Sequence, residues 1–193
     1  MARYGSDKPD TRFGLELTDI SDIVKSSEFS VFQTALANGG SVRAINAKGA
    51  GAEFSRKELD ALGEFVKTYR AKGLIWMNDK PDGLVSPILK FLTEDEIAAI
   101  RKAANFEEGD ILFIIADANK TVFAALGALR LKLGEKLNLI PKNQFNLLWV
   151  TEFPQFEWSE EENRYMAMHH PFTSPMDEDL DRLESDPANV RAK

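Results

Sequence analysis

The only two histidines of this 193-residue chain stand side by side. His169 and His170 lie in the stretch MHHPFTSP, immediately before Pro171. An imidazole ring can donate or accept a hydrogen bond, and its pKa of about 6.5 lets its surroundings set its charge. The pair therefore suits contact with a small charged ligand such as a carboxylate. The alternative is a pair of loop histidines with no chemical task.

Metal binding and nucleophilic catalysis are poorly supported by the residues around the pair. Adjacent side chains in an extended backbone point to opposite faces, and the acidic runs Glu160–Glu162 and Asp177–Asp179 are typical of solvated surface. Ser174 follows His170 by four residues but lies in no GxSxG elbow. The stretch Gly49–Ala52 lacks the further glycines or the lysine of a phosphate-binding loop.

A local concentration of positive charge falls on a predicted helix after Asn119. Five basic residues face one acid, Glu135, over residues 120–142; they are Lys120, Arg130, Lys132, Lys136 and Lys142. Such a helix can contact a phosphate backbone. The alternative is the solvated face of an ordinary amphipathic helix.

The composition limits the chemistry that is available to the chain. There is no cysteine, which excludes a disulfide framework, a thiolate metal site and a cysteine nucleophile. No signal peptide and no run of about 18 apolar residues is found. The net charge is −7, and most of it falls after residue 156, where ten acidic residues oppose four basic ones.

Capping residues and periodicity predict three helices. Ser55–Glu58 and Thr93–Glu96 have the form of capping boxes, and an apolar stripe follows each. Asn119 is expected to cap the third helix, which Pro141 ends.

Short apolar runs predict the strands of a sheet. They lie at 42–47, 74–77, 111–116 and 147–150, with an edge strand or irregular stretch at 84–92. The unbroken run at 111–116 suggests a central position. The first forty residues are expected to hold loops and short elements, and an acidic loop is expected after Pro154. The whole predicts a two-layer α+β fold, with helices packed on one face of a mostly antiparallel sheet and irregular terminal extensions.

The two ends of the chain carry its most specific motifs. Residues 3–10 read RYGSDKPD and are followed by Arg12-Phe13-Gly14, while FPQFEW at 153–158 leads to YMAMHHPFTSP at 165–175. Both ends resemble bacterial-type aspartyl-tRNA synthetase, a class II enzyme. In that family they flank the GAD insertion domain, which is shared with the GatB subunit of tRNA-dependent amidotransferase.

The resemblance implies a domain plan and a function. Residues 1–12 and 151–193 would belong to the catalytic domain, and residues 13–150 would form the insertion. The parent enzyme would activate aspartate with ATP and Mg²⁺ and transfer it to tRNA. His169 and His170 would contact the substrate aspartate, His169 being the first choice.

The resemblance also implies partners. Our hypothesis, motivated by the basic helix, is that the insertion domain steadies either the acceptor arm of tRNA or the active-site lid, with a tRNA contact through Arg130, Lys132 and Lys136. The rest of the catalytic domain would be the other partner. The enzyme would be cytoplasmic, without a membrane attachment, and a homodimer through its catalytic core, whereas this chain alone is expected to be a monomer.

Several parts of the family pattern do not occur in these 193 residues. They are the anticodon-binding domain and the second and third class II motifs, with their ATP-binding arginines. We therefore expect a piece of the enzyme that has no catalytic residue or cofactor of its own and is inactive alone. One alternative is a free-standing RNA- or protein-interaction module of the GatB-like kind. Another is a small metal-dependent hydrolase built on His169, His170 and the nearby acids.

Overall fold

The computed structural model describes all 193 residues, which divide into two compact units. The first unit is Met1–Asn146, and the second is Leu147–Lys193. No helix in either unit combines the length and the apolar character that a bilayer crossing requires.

The first unit is built on one five-stranded sheet. Its strands are β1 (Leu17–Asp19), β2 (Ser41–Ala47), β3 (Ile75–Lys80), β4 (Gly83–Val85) and β5 (Ile111–Asp117). Its helices are α1 (Ser30–Ala37), α2 (Arg56–Lys67), α3 (Glu94–Ala104) and α4 (Asn119–Lys136), with a short 3-10 helix at Leu89–Phe91. The strand order is β1-β2-β5-β3-β4, and every neighbouring pair is antiparallel.

The central strand β5 separates two apolar cores. Ile111, Phe113 and Ile115 enter a core that is completed by α2 and α4. Leu112 and Ile114 enter a second core, on the other face of the strand, that is completed by α1 and α3. The predicted α+β class, the antiparallel sheet and the central position of this strand are therefore confirmed.

The prediction of two layers with helices on one face is wrong, because both faces of the sheet carry helices. The reason lies in the run at 111–116. Successive side chains of a strand point to opposite faces, so an unbroken apolar run places apolar groups on both. Each face then needs its own cover to exclude water.

Both predicted capping boxes are confirmed, but the predicted cap of α4 is wrong. Ser55 with Glu58 closes the first turn of α2, and Thr93 with Glu96 does the same for α3. Asn119 is the first residue inside α4 rather than its cap, and the capping position bears an alanine without a side-chain bond.

The second unit contains a hairpin and two short 3-10 helices. Strands β6 (Phe156–Ser159) and β7 (Arg164–Ala167) pair antiparallel, and the 3-10 helices are Asp177–Arg182 and Pro187–Asn189. The region after Pro154 is thus more ordered than the predicted acidic loop. The predicted strand at 147–150 does not form, since these residues have no sheet partner, and the side chains of Leu147 and Trp149 are 93% exposed.

Candidate functional site

The two histidines lie on a loop of the second unit, Met168–Thr173, which we call the histidine loop. It leaves β7 and is tied at its start by a hydrogen bond from the Met168 amide to the Gln155 carbonyl (3.0 Å). The Thr173 amide donates to the His170 carbonyl (2.8 Å) and closes a turn. This turn is where the sequence places Pro171, whose fixed φ favours such a conformation.

His169 is half-buried and fixed by two contacts. Its Nε2 lies 3.0 Å from the carbonyl oxygen of Pro154, and its ring meets the ring of Phe153 edge-on with 4.9 Å between centroids. A carbonyl oxygen can only accept a hydrogen bond, so Nε2 carries the hydrogen. Nδ1 is then the nitrogen that His169 can offer to a ligand.

His170 is exposed, and its ring is held through Nδ1 rather than through Nε2. Its Nδ1 accepts a hydrogen bond from the Phe172 amide (3.3 Å), and its ring meets the Phe172 ring edge-on at 4.6 Å. An accepting Nδ1 bears a lone pair, so the hydrogen of the neutral ring lies on Nε2. His170 can therefore donate to an acceptor such as a carboxylate. The two rings thus present different nitrogens to a ligand, Nδ1 in His169 and Nε2 in His170.

No group of three or more histidine, cysteine or acidic side chains is arranged to hold a metal ion. The alternative of a hydrolase that uses the histidines as metal ligands thus gains no support from the geometry. What the geometry of the histidine loop leaves open is hydrogen bonding by the Nδ1 of His169 and the Nε2 of His170.

Arg130, a predicted tRNA contact, points inward. Its side chain is 1% exposed. Nη2 donates to the carbonyls of Asp10 (2.8 Å), Phe13 (2.6 Å) and Gly14 (2.7 Å). The guanidinium stacks on the rings of Phe13 and Tyr4, at 4.0 and 4.8 Å from their centroids. A group so enclosed cannot reach a phosphate, so the assignment of Arg130 as a tRNA contact is wrong, and its role is to bind the N-terminal segment to α4.

Lys132 and Lys136 do lie on the surface of α4. They are four residues apart and so share a face of the helix. The Lys132 Nζ lies over the ring of Phe65 at 4.7 Å, and the Lys136 Nζ pairs with the Glu58 carboxylate at 2.6 Å. The Lys136 ammonium, followed by the cap of α2, lowers the pKa of the Glu58 carboxyl to about 2. Of the two lysines, Lys132 has no acidic partner.

Sequence reasoning missed two structural arrangements. One is the burial of Arg130, whose acceptors lie more than a hundred residues earlier in the chain. The only local signal is Gly127 and Gly134 at a spacing of seven on α4: Gly127 is in close contact with the backbone of Gly5, and Gly134 with the ring of Phe13.

The other is an ion pair between Asp179 and Arg191 in the second unit. These residues are twelve positions apart, and no periodic pattern links them.

Comparison with known proteins adds to this geometry. A family model for the GAD domain matches residues 32–126. The chain is 59% identical over its whole length to an aspartate–tRNA ligase of Clostridium beijerinckii and 56% identical to an aspartate–tRNA(Asp/Asn) ligase of a Geobacillus species. An aspartate–tRNA ligase of Clostridium acetobutylicum is 54% identical, again over the whole chain.

The chain spans about a third of the length of these relatives, 32% in each case. The similarity extends on both sides of the GAD match and includes the histidine loop. Residues 32–126 thus match the GAD domain family, within a chain that is similar from end to end to bacterial aspartate–tRNA ligases.

Proposed function

We propose that this chain is part of an aspartate–tRNA ligase, an enzyme that activates aspartate with ATP and transfers it to tRNA. The observation that carries the proposal is the identity of 54–59% with such ligases over the entire chain. A free-standing GAD module would account only for the match at 32–126. It remains the second candidate, supported by that match alone.

We propose the domain plan that the sequence motifs at the two ends imply. Residues 13–150 form the GAD insertion, and residues 1–12 and 151–193 belong to the catalytic domain. Exposed apolar side chains support the last assignment: Leu147, Trp149 and Phe172 are each 93% exposed, and packing them against further protein would remove this apolar area from water. The rest of the catalytic domain would cover them.

The histidine loop is proposed to bind the substrate aspartate. The Nε2–H of His170 is free to donate to a carboxylate of aspartate, and the Nδ1 lone pair of His169 can accept from its ammonium group. A hydrogen bond to a charged group is stronger than a neutral one, so two such contacts would orient the amino acid well. ATP and Mg²⁺ would be bound by other parts of the enzyme, and this chain alone would be inactive.

For the isolated chain we propose a monomer, and for the enzyme a cytoplasmic homodimer that associates through its catalytic core. This follows the similarity to ligases of the translation machinery. Sedimentation of the 193-residue chain should give the mass of one copy.

Lys132 and Lys136 are proposed to contact the tRNA acceptor arm. They lie on one exposed face of α4, and Lys132 has no acidic partner. Each phosphate that a protein neutralises adds about 0.9 to the slope of log affinity against log salt concentration.

The aspartate-binding role can be tested in the full-length enzyme with His169→Gln and His170→Gln. Loss of a hydrogen bond to a charged group costs about 1.5–3 kcal/mol, so the aspartate KM in ATP–pyrophosphate exchange should rise about ten- to a hundredfold. The KM for ATP should change little. Glu161→Gln, in the exposed turn of the hairpin, is the control. Unchanged aspartate KM values in both histidine variants would show that the loop does not bind aspartate.

The tRNA role has its own test. Lys132→Glu with Lys136→Glu should weaken tRNA binding and reduce its salt slope by up to about two, while aspartate activation is unaffected. Lys102→Glu, on the exposed surface of α3, is the control for a single charge reversal away from α4. Equal tRNA KM values and salt slopes in both variants would show that α4 does not contact tRNA.

A further inference from the structure

A short segment near the C-terminus, Val190–Lys193, runs between two other stretches of the second unit. We call it the strap. On one side, the Gln155 amide donates to the Val190 carbonyl (2.8 Å), and the Ala192 amide donates to the Phe153 carbonyl (2.7 Å). On the other side, the Met176 amide donates to the Arg191 carbonyl (2.9 Å), and the Lys193 amide donates to the Ser174 carbonyl (3.0 Å).

This alternation is that of a central strand with a partner on each side. Both neighbours are antiparallel to the strap, through bridges that join Pro154 to Arg191 and Pro175 to Ala192. The strap thus fixes the distance between Phe153–Gln155 and Ser174–Met176.

Those two stretches are the supports of the histidine loop. Pro154 provides the carbonyl that holds the His169 Nε2, and Phe153 provides the ring against which His169 packs. Ser174 directly follows the loop. Gln155 adds a long side-chain hydrogen bond to the Thr173 carbonyl (3.4 Å). A shift of the strap would therefore move both ends of the loop.

Two ion pairs anchor the strap: an exposed one between Lys193 and Asp177 (2.7 Å), and one between Arg191 and the buried Asp179 that makes several bonds. The Arg191 Nε and Nη2 donate to the two oxygens of Asp179 at 2.7 and 3.1 Å, and the Arg191 amide donates to the same carboxylate at 3.0 Å. Asp179 is 2% exposed. The bonds from Arg191 lower the pKa of the Asp179 carboxyl to about 2. Bidentate pairs of this kind impose a fixed geometry as well as attraction.

Weaker charges surround the pair without replacing it. Arg182 lies 3.5 Å from Asp179, and Glu152 and Glu178 lie 3.3 and 3.8 Å from Arg191. All three are exposed and make one contact each with the pair. The apolar support is small as well, since Val190 and Ala192 are the only fully buried apolar residues of the unit.

We propose that Asp179 and Arg191 are positioning residues, which fix the strap and through it the orientation of the histidine loop. The pair touches neither histidine. Its effect on geometry is independent of what the loop binds, whereas its effect on catalysis rests on the proposed aspartate-binding function. The two consequences are tested separately.

The geometric consequence can be measured by NMR on the 193-residue chain. Because the chain has only two histidines, selective labelling of histidine and phenylalanine resolves the contact between the rings of His169 and Phe153. Asp179→Asn and Arg191→Gln should weaken this cross-peak at least fourfold and move the His169 ring signals towards those of an unstructured peptide. Arg191→Lys, which keeps the charge but not the bidentate contact, should give an intermediate result.

Glu161→Gln is the control in the exposed hairpin turn and should leave both signals in place. Arg191→Lys is the mildest of the three changes, so it keeps the test informative if Asp179→Asn or Arg191→Gln unfolds the chain. An unchanged His169–Phe153 cross-peak in both Asp179→Asn and Arg191→Gln would overturn the proposal.

The catalytic consequence is measured in the full-length enzyme. Asp179→Asn and Arg191→Gln should raise the aspartate KM about five- to twentyfold and leave the ATP KM within twofold, with partial rescue in Arg191→Lys. Equal increases in both KM values would indicate a general structural defect and contradict a positioning role. If the unaltered enzyme showed no aspartate-dependent exchange, the proposed function would fail, and the NMR result alone would decide whether the strap orients the loop.

Discussion

Each of the two units of this chain is stabilised internally by a different kind of interaction. In the first, β5 lies between two apolar cores, each closed by a pair of helices. In the second, only Val190 and Ala192 are fully buried among the apolar residues, and the backbone is organised by the strap and the Asp179–Arg191 pair. One unit is stabilised by many non-directional contacts, and the other by a few directional ones.

This difference separates stability from positioning. Apolar burial contributes about 25 cal/mol per Å² and does not depend on orientation, so it secures a fold without fixing any one side chain. Hydrogen bonds weaken steeply when their angle is poor, and they therefore fix a side chain such as that of His169. The candidate binding residues lie in the unit that relies on directional contacts.

Two phenylalanines, one from each unit, give the largest expected contrast. Phe113 is fully buried in the first core, and Phe172 is 93% exposed. Phe113→Ala should lower the free energy of unfolding by about 3–5 kcal/mol, from lost burial and the cavity left behind. Phe172→Ala should change it by less than about 0.5 kcal/mol. Urea denaturation followed by circular dichroism measures both, and equal losses would contradict the division.

Two helical glycines should respond with opposite signs. A methyl group on Gly127 would clash with the backbone of Gly5, whereas one on Gly63 would meet nothing within 4 Å. Gly127→Ala should therefore destabilise by about 1–3 kcal/mol through overpacking. Gly63→Ala should stabilise by about 0.5–1 kcal/mol through helix propensity. Thermal unfolding of the two glycine variants tests whether the N-terminal segment is packed on α4. A stabilising Gly127→Ala would show that it is not.

The helix caps give a smaller contrast within the first unit. Ser55 accepts a hydrogen bond from the Glu58 amide, while Asn119 makes no capping bond. Ser55→Ala should cost about 1 kcal/mol. Asn119→Ala should cost no more than a few tenths, since alanine is a good helix former. Denaturant midpoints compare the two, and a larger loss at Asn119 would restore it as a cap.

Acid should loosen the strap over a defined range. The pKa of the Asp179 carboxyl is lowered from an ordinary value of 3.8 to about 2 by its bonds from Arg191. A lowered pKa in the folded state means that the ionised carboxylate stabilises the fold above about pH 4, and that this contribution is lost as the pH falls towards 2. The amide signals of Arg191 and Ala192 should shift in that range. In Asp179→Asn that titration should be absent, and its persistence would assign the effect to another group.

Much of the first unit could be predicted from its sequence. The run at 111–116 indicated a central strand, and the boxes at Ser55 and Thr93 placed the starts of two helices. These signals are local, because neighbouring residues carry them. The position of the helices on both faces was missed, although an unbroken apolar run implies it.

The errors arose where distant residues determine the outcome. The sequence pattern predicts Arg130 as a surface charge on a helix. Its burial depends instead on carbonyls of residues 10–14. The apolar stretch at 147–150 has the pattern of a strand but finds no partner. The histidine pair was predicted as a site from residue type alone, whereas the contact between Arg191 and Asp179 joins segments that no sequence pattern connects.

We expect this chain to act as part of an aspartate–tRNA ligase. The most direct measurement is to capture the native polypeptide with an antibody raised against this chain, weigh it by mass spectrometry and assay ATP–pyrophosphate exchange. Since the chain spans 32% of its relatives, we predict a polypeptide of about three times its mass that exchanges pyrophosphate only when aspartate is present. A polypeptide of the chain's own mass without such exchange would contradict the claim.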